Sequence, residues 1–213
     1  MPQPKMLFLV CLLAYTALLR LLPYILMNCD LQMNSTVLYY PWNFNPLTAA
    51  CLFGGACLAD RRRALLVPLV TLFVSDLGIW ALTGRAEWAF SGVTYLMFSV
   101  AAIMGFALRN SVQRRVMGRA ILLGISFEVL FYFVSNYFVW AGSSTMTPVL
   151  YPDTTEGLVA CYLAGLPFFG KSLLGTIAFT TLLFSPLGVR ASTEENASDQ
   201  GALVPRLSRV NSD

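Results

Sequence analysis

The sequence predicts an all-α integral membrane protein, a bundle of six transmembrane helices with both termini cytoplasmic and a short second helix. Three observations carry that expectation. Hydrophobic residues make up 57% of the 213-residue chain and charged residues only 12%, about half the charged fraction of an ordinary soluble domain. The apolar residues come in blocks, most of them close to the roughly 20 residues a membrane helix needs. The arginines gather in alternate connections, the pattern that orients chains in bilayers.

Six apolar segments follow: Met6 to Met27, Pro46 to Ala59, Ala64 to Leu82, Ser91 to Leu108, Ala120 to Val139 and Leu158 to Phe184. Their length and lack of strand-like alternation favour helices over a barrel. The first contains Arg20 and has no small-x-small cleavage site after it, so it reads as a retained span and not as a signal. The second is too short for a comfortable crossing and must be tilted, buried by neighbours or continued by its loop. Arg61, Arg62 and Arg63 lie between segments two and three; Arg109, Arg114, Arg115 and Arg119 lie between four and five. The opposite side has only Arg85, which puts both termini inside. Residues 1–189 form the six-helix domain, and the polar, Ser- and Asn-rich residues 190–213 read as a disordered cytoplasmic tail.

Several chemistries are excluded or discouraged. The chain has no histidine, which removes histidine-ligated haem or zinc and histidine-based triads. Its five cysteines include no CxxC pair. No metal, cofactor or nucleic-acid partner is expected. One motif misleads. "GLPFFGKS", Gly165 to Ser172, matches the phosphate-loop pattern letter for letter, but it follows an apolar helix instead of a strand and contains Pro167. Pro167 is better read as a kink that frees a carbonyl.

Four ionisable residues lie inside spans: Arg20, Asp76, Glu128 and Lys171. Each is expensive in hydrocarbon and needs a partner or water. Counted from the inner ends at about 1.5 Å per residue, Arg20 and Asp76 come out about 21 and about 18 Å up. Glu128 and Lys171 come out about 12 and about 20 Å up. Opposite charges at similar depth give two expected ion pairs, Arg20 with Asp76 and Glu128 with Lys171. Such pairs either tie helices together or mark a ligand path, and the sequence leaves both open.

Aromatic and amide residues gather on the expected outer side: Tyr39, Tyr40, Trp42, Asn43, Phe44 and Asn45, then Trp80, Trp88, Asn136, Tyr137, Trp140, Tyr151 and Tyr162. An interfacial belt accounts for the rings. The amides want hydrogen-bond partners, and rings with a few fixed amides also make a small-molecule pocket. Tyr40-Pro41, Leu47, Ala49, Leu52 and Gly54 recur in order as Tyr151-Pro152, Leu158, Ala160, Leu163 and Gly165. Two similar mouths are therefore expected on one side. The small residues of "FGGACLA" let helices approach closely. Ala14 and Ala17 on the first helix serve either internal packing or the docking of another membrane subunit.

The blocks "RLLP", "NFNPLTAACLFGGACLA", "VPLVTLFVSDL", "FVSNYFVW" and "YPDTTEGLVACYLAGLPFFGKSLLG" resemble a bacterial membrane family, domain of unknown function 6580. Its members are described as candidate transport proteins. The resemblance runs from Arg20 to Phe184, and Gly170-Lys171 departs from the usual pattern. That family is in turn similar to the S-components of energy-coupling-factor transporters, six-helix proteins that bind a micronutrient under their outer loops. The resemblance implies a bacterial inner-membrane location. It also implies a separate energising transmembrane subunit with ATPases, faced by Ala14 and Ala17.

The functional expectation is a membrane transport protein or substrate-binding subunit for a small solute or micronutrient. The ligand would sit among Asn43, Asn45, Asp76, Asn136, Trp140 and Tyr162, beneath outer loops acting as lids. The alternatives are a non-transporting scaffold and, less favoured, an intramembrane enzyme. No nucleophile and base appear as a set, so the chain is read as not an enzyme.

Overall fold

In the computed structural model of the chain, residues 4–29, 43–109, 113–143 and 149–193 are described, apart from the side chains of Glu87, Gln113, Arg114 and residues 190–193. They form helices α1 (Met6–Asn28), α2 (Leu47–Cys57), α3 (Arg61–Thr83), α4 (Gly92–Gly105), α5 (Gln113–Ser143), α6 (Thr155–Phe184) and α7 (Pro186–Thr193). Of two 3-10 turns among the described residues, Ala86–Trp88 lies between α3 and α4 and Phe106–Leu108 extends α4. No strand occurs among the described residues. Helices α1, α3, α5 and α6 are long and apolar enough to cross a membrane, while α2 and α4 are apolar but shorter. The chain is a membrane protein, with four long and two short apolar helices among the described residues.

The helices outrun their apolar blocks. α3 starts at Arg61 and α5 at Gln113, so Arg61, Arg62, Arg63, Arg115 and Arg119 stand on helical turns and not in connections. Hydropathy marks only the stretch that dislikes water, whereas backbone hydrogen bonding carries a helix on into its polar flank. α7 likewise reaches Thr193, four residues into the expected tail; residues 194–213 lie outside the described residues.

Local signals place the ends. Asp60 Oδ1 accepts the Arg62 N–H at 2.8 Å, capping α3. Thr154 Oγ1 accepts the Gly157 N–H at 3.2 Å, capping α6. Gly84 closes α3 in the left-handed region, at φ 69°, where a residue without Cβ escapes strain.

Contacts along the helices fix their relative sense. On α1 and α3, Arg20 meets Leu72 and Ser75, and Asn28 donates to Leu82 O at 3.2 Å, so these two run together. On α5 and α6, Trp140 Nε1 donates to Pro152 O, Tyr132 Oη to Tyr162 O, and Thr176 Oγ1 to Glu128 Oε1. Those pairs mark an antiparallel hairpin. α2 runs parallel to α6, from the Phe44–Phe179 ring contact to Phe53–Phe184 at 5.5 Å.

Every residue of α2 is buried, so the short second helix is enclosed by its neighbours. Its small residues make that possible. A Cβ on Gly55 would lie 2.3 Å from Ala102 O, and one on Gly105 would lie 2.5 Å from Leu52 O. The backbones of α2 and α4 are therefore in contact, which only glycine permits. At the far end, Arg109 ties α2 down: Nε donates to Gly55 O at 2.8 Å, Nη2 to Leu58 O at 2.7 Å, and Nη1 to Ala59 O at 3.4 Å. One guanidinium thus takes up carbonyls at the negative end of the helix.

α2 also starts at an unexpected height. A Cβ on Gly175 of α6 would be 3.3 Å from Phe44 Cα and 3.2 Å from Asn45 N, so the turn before α2 lies against the far third of α6. Leu158, the counterpart of Leu47 in the internal echo, is 17 residues back along α6, about 26 Å away. The Tyr40-Pro41 turn, on which the expectation of two matching mouths rests, lies outside the described residues; Asn43–Pro46 lies against the far third of α6, while the Tyr151 turn stands just before the first turn of that helix. The sequence echo runs over segments of different length, so it does not set a common height. Tyr39, Tyr40 and Trp42 lie outside the described residues.

Candidate functional site

The site is built around the first turn of α2. Asn43 adopts φ 65°, a left-handed conformation that Asn tolerates better than most residues. This reverses the chain so that Asn45 Oδ1 accepts the Leu47 N–H at 3.0 Å. Opposite that turn stands Glu128, midway along α5 and 2% exposed. Its Oε1 accepts the hydroxyls of Thr48 at 2.7 Å and Thr176 at 2.6 Å; its Oε2 accepts that of Ser172 at 2.7 Å. Donors from α2 and α6, with the positive end of the α2 dipole, solvate a carboxylate withdrawn from water.

Two adjoining cavities, of about 210 and about 180 Å³, share Asn43, Glu128, Phe131 and Ser172 as walls. The first runs as a cleft between α5 and α6 from Glu128 to Asn136 and Gly165, flanked by Tyr132, Phe168 and Phe169. The second reaches the other way, past Asn45 and Thr48 to Thr94 and Arg20. Beyond Glu128 the α5–α6 cleft closes, since a Cβ on Gly124 would be 2.7 Å from Thr176 Cγ2.

Arg20 and Asp76 form an ion pair with Nη1 2.6 Å from Oδ1. Nη1 also donates to Leu72 O at 3.1 Å and to Ser75 Oγ at 2.5 Å. Asp76 Oδ1 receives no directed hydrogen bond, so its attraction to Arg20 is Coulombic. The second oxygen, Oδ2, accepts the Tyr95 hydroxyl at 2.6 Å. Asp76 is fully buried behind Arg20 and lines neither cavity.

The Glu128–Lys171 pairing is corrected. Among the described residues Glu128 bonds three hydroxyls and forms no ion pair with Lys171. Ser172 and Thr176 occupy the α6 face turned to α5, and Lys171 stands about 100° around the helix from Ser172. Of the expected ligand residues, the structure brings Asn43, Asn45 and Asn136 to the cavities. Trp140 and Tyr162 are used elsewhere: Trp140 Nε1 donates to Pro152 O at 3.0 Å and Tyr162 Oη to Phe133 O at 2.9 Å, fastening the hairpin. Ala14 is exposed and Ala17 half-buried on α1.

Thr48, Ser172, Thr176, Phe131 and Phe168 were not anticipated. A signal existed: Ser172, Thr176 and Thr180 recur at i, i+4 and i+8, a hydroxyl stripe along one face of α6. The phosphate-loop match is void, because Gly165 to Ser172 is continuous helix within α6. Its N–H groups point back along the helix and cannot wrap a phosphate. No group of three or more His, Cys, Asp or Glu side chains able to hold a metal occurs among the described residues.

No curated protein and no solved structure matches this sequence. The chain belongs to a family of unknown function, DUF6580, whose pattern matches residues 1–196.

Proposed function

We propose that the protein binds a small solute beside Glu128 and serves its transport across a bacterial cytoplasmic membrane. In this reading six segments span the bilayer, with both termini inside. One observation carries it: a buried carboxylate, held by hydroxyls from two helices, forms a wall of both cavities at the first turn of a half-length helix. Short helices that begin at mid-depth are a recurrent way of building solute sites in membrane transporters. The cleft is closed at Gly124–Thr176 and narrows again at Asn136, where a Cβ on Gly165 would lie 2.5 Å from Asn136 Oδ1, so a solute beside Glu128 is shielded at both ends of the α5–α6 seam.

The chain's own residues have divided tasks. Glu128 and Asn43 present acceptors, the rings of the α5–α6 cleft exclude water, and the Arg20–Asp76 pair fixes α1 against α3 behind the second cavity. A cavity of about 210 Å³ is below the roughly 300 Å³ at which drug-sized pockets begin, so the solute is small. Coupling to a separate energising subunit belongs to this proposal, with the exposed face around Ala14 as its docking side. The scaffold reading has only that same face in its favour, and lipid covers such a face equally well.

The test is mass spectrometry of small molecules retained by detergent-purified protein and by a Ser135→Trp variant, which fills the cleft. A solute present in the first and absent from the second is expected. Identical retained molecules in both would sink the reading.

A further inference from the structure

Of the four charged residues inside the bundle, two are paired and two stand apart. Arg20 and Asp76 neutralise each other at 2.6 Å. Glu128 has no ionic partner among the described residues, and Lys171 stands off to the side. The sequence between the described stretches nearest the site, residues 30–42 and 144–148, contains no Lys or Arg. A formal negative charge therefore faces the first cavity, whose lining holds no Lys or Arg, while the second is also walled by Arg20.

That charge is also incompletely bonded. Each carboxylate oxygen has two lone pairs. Oε1 uses both, on Thr48 and Thr176; Oε2 uses one, on Ser172. The remaining acceptor direction has no donor among the described residues, although Glu128 is 2% exposed. The surrounding walls favour a particular ligand. Phe131, Tyr132, Phe168 and Phe169 line the cleft, and ring faces attract ammonium groups by about 0.5–2 kcal/mol each. An anion would be repelled by Glu128, and a neutral apolar solute would leave Oε2 short of a donor. A bare metal ion is held by several oxygen ligands, carboxylates foremost, whereas Glu128 is the one carboxylate among the residues lining this cleft.

We infer that the cleft takes a small organic ammonium compound, its charged nitrogen on Glu128 Oε2 and its apolar part among the four rings. The inference rests on the solute-binding proposal and assigns the chemical class of the solute.

The experiment uses full-length protein in lipid nanodiscs and three probes of similar shape: 2-phenylethylammonium, 3-phenylpropionate and 3-phenylpropanol. Calorimetry is expected to show the ammonium probe binding at least tenfold more tightly than the other two. Glu128→Gln should abolish that preference. A second variant, Ser135→Lys, places a cation in the cleft from its rim and guards against misfolding of the first; it should prevent ammonium binding while the protein stays monodisperse. Equal binding of all three probes, preference for the propionate, or undiminished ammonium binding in both variants would each overturn the assignment. A neutral or anionic solute retained by wild-type protein and lost in Ser135→Trp would overturn the class and leave the site standing. If no solute is retained and no probe binds, both fall.

Discussion

The Thr48 hydroxyl lies 2.7 Å from Glu128 Oε1, which joins the first turn of a half-length helix to the middle of the longest one. The two residues are 80 positions apart in sequence. Through this contact α2, α5 and α6 meet at one buried point, because Thr176 reaches the same oxygen. Thr48→Val keeps the shape and removes that donor. It should cost about 1–3 kcal/mol, as expected for a buried charged acceptor losing a partner, read as a lower unfolding temperature in detergent.

The α2–α4 crossing is backbone against backbone. Gly105→Ala puts a methyl group within 2.5 Å of Leu52 O and 3.0 Å of Gly55 Cα. The helices must separate, at a cost of about 1–3 kcal/mol. Fluorescence-detected size exclusion after graded heating measures it. Gly118→Ala, where nothing lies within 4 Å, is the control and should be neutral or slightly stabilising.

Removing one member of the Arg20–Asp76 pair should be worse than removing both. Asp76→Ala leaves a guanidinium without its counter-charge, which costs about 3–5 kcal/mol. The double variant Arg20→Met with Asp76→Leu should recover much of that loss. Unfolding free energies of the two singles and the double form the cycle that decides it.

Lys171→Met should change stability by less than about 1 kcal/mol, since the lysine has no ion pair among the described residues. A double-mutant cycle between Lys171 and Glu128 should show coupling near zero. Strong coupling would restore the pairing that depth alone indicated.

The proposed topology puts Cys29, exposed just after α1, on the outer face. A membrane-impermeant maleimide applied to intact cells should label it. A cysteine introduced by Arg62→Cys, in a chain lacking Cys29, should react only after permeabilisation. The reverse pattern would invert the orientation.

The sequence was informative where one residue type acts alone. Arg20 and Asp76 could be matched because charges in apolar segments are rare and depth is countable. The glycines of α2 announced a close approach. Glu128 was visible as a buried charge, but its partners were not, because serines and threonines are common in apolar helices and carry no sign. Depth counting left Lys171 about 8 Å from the level of Glu128, and rotation about the helix axis decides contact: Ser172, one residue on, takes the place facing the carboxylate. The starting height of α2 was also hidden, since a short apolar run fits a tilted, an enclosed or a loop-extended helix equally well.

Arg109 holds three carbonyls at one end of α2, and Thr48 is bound to Glu128 at the other. A rod clamped top and bottom, with its backbone pressed on α4, makes a poor piston. Under the proposed transport function, the rocking that moves a solute past Glu128 would come from the α5–α6 hairpin swinging about this fixed post, with Gly124 and Thr176 parting first.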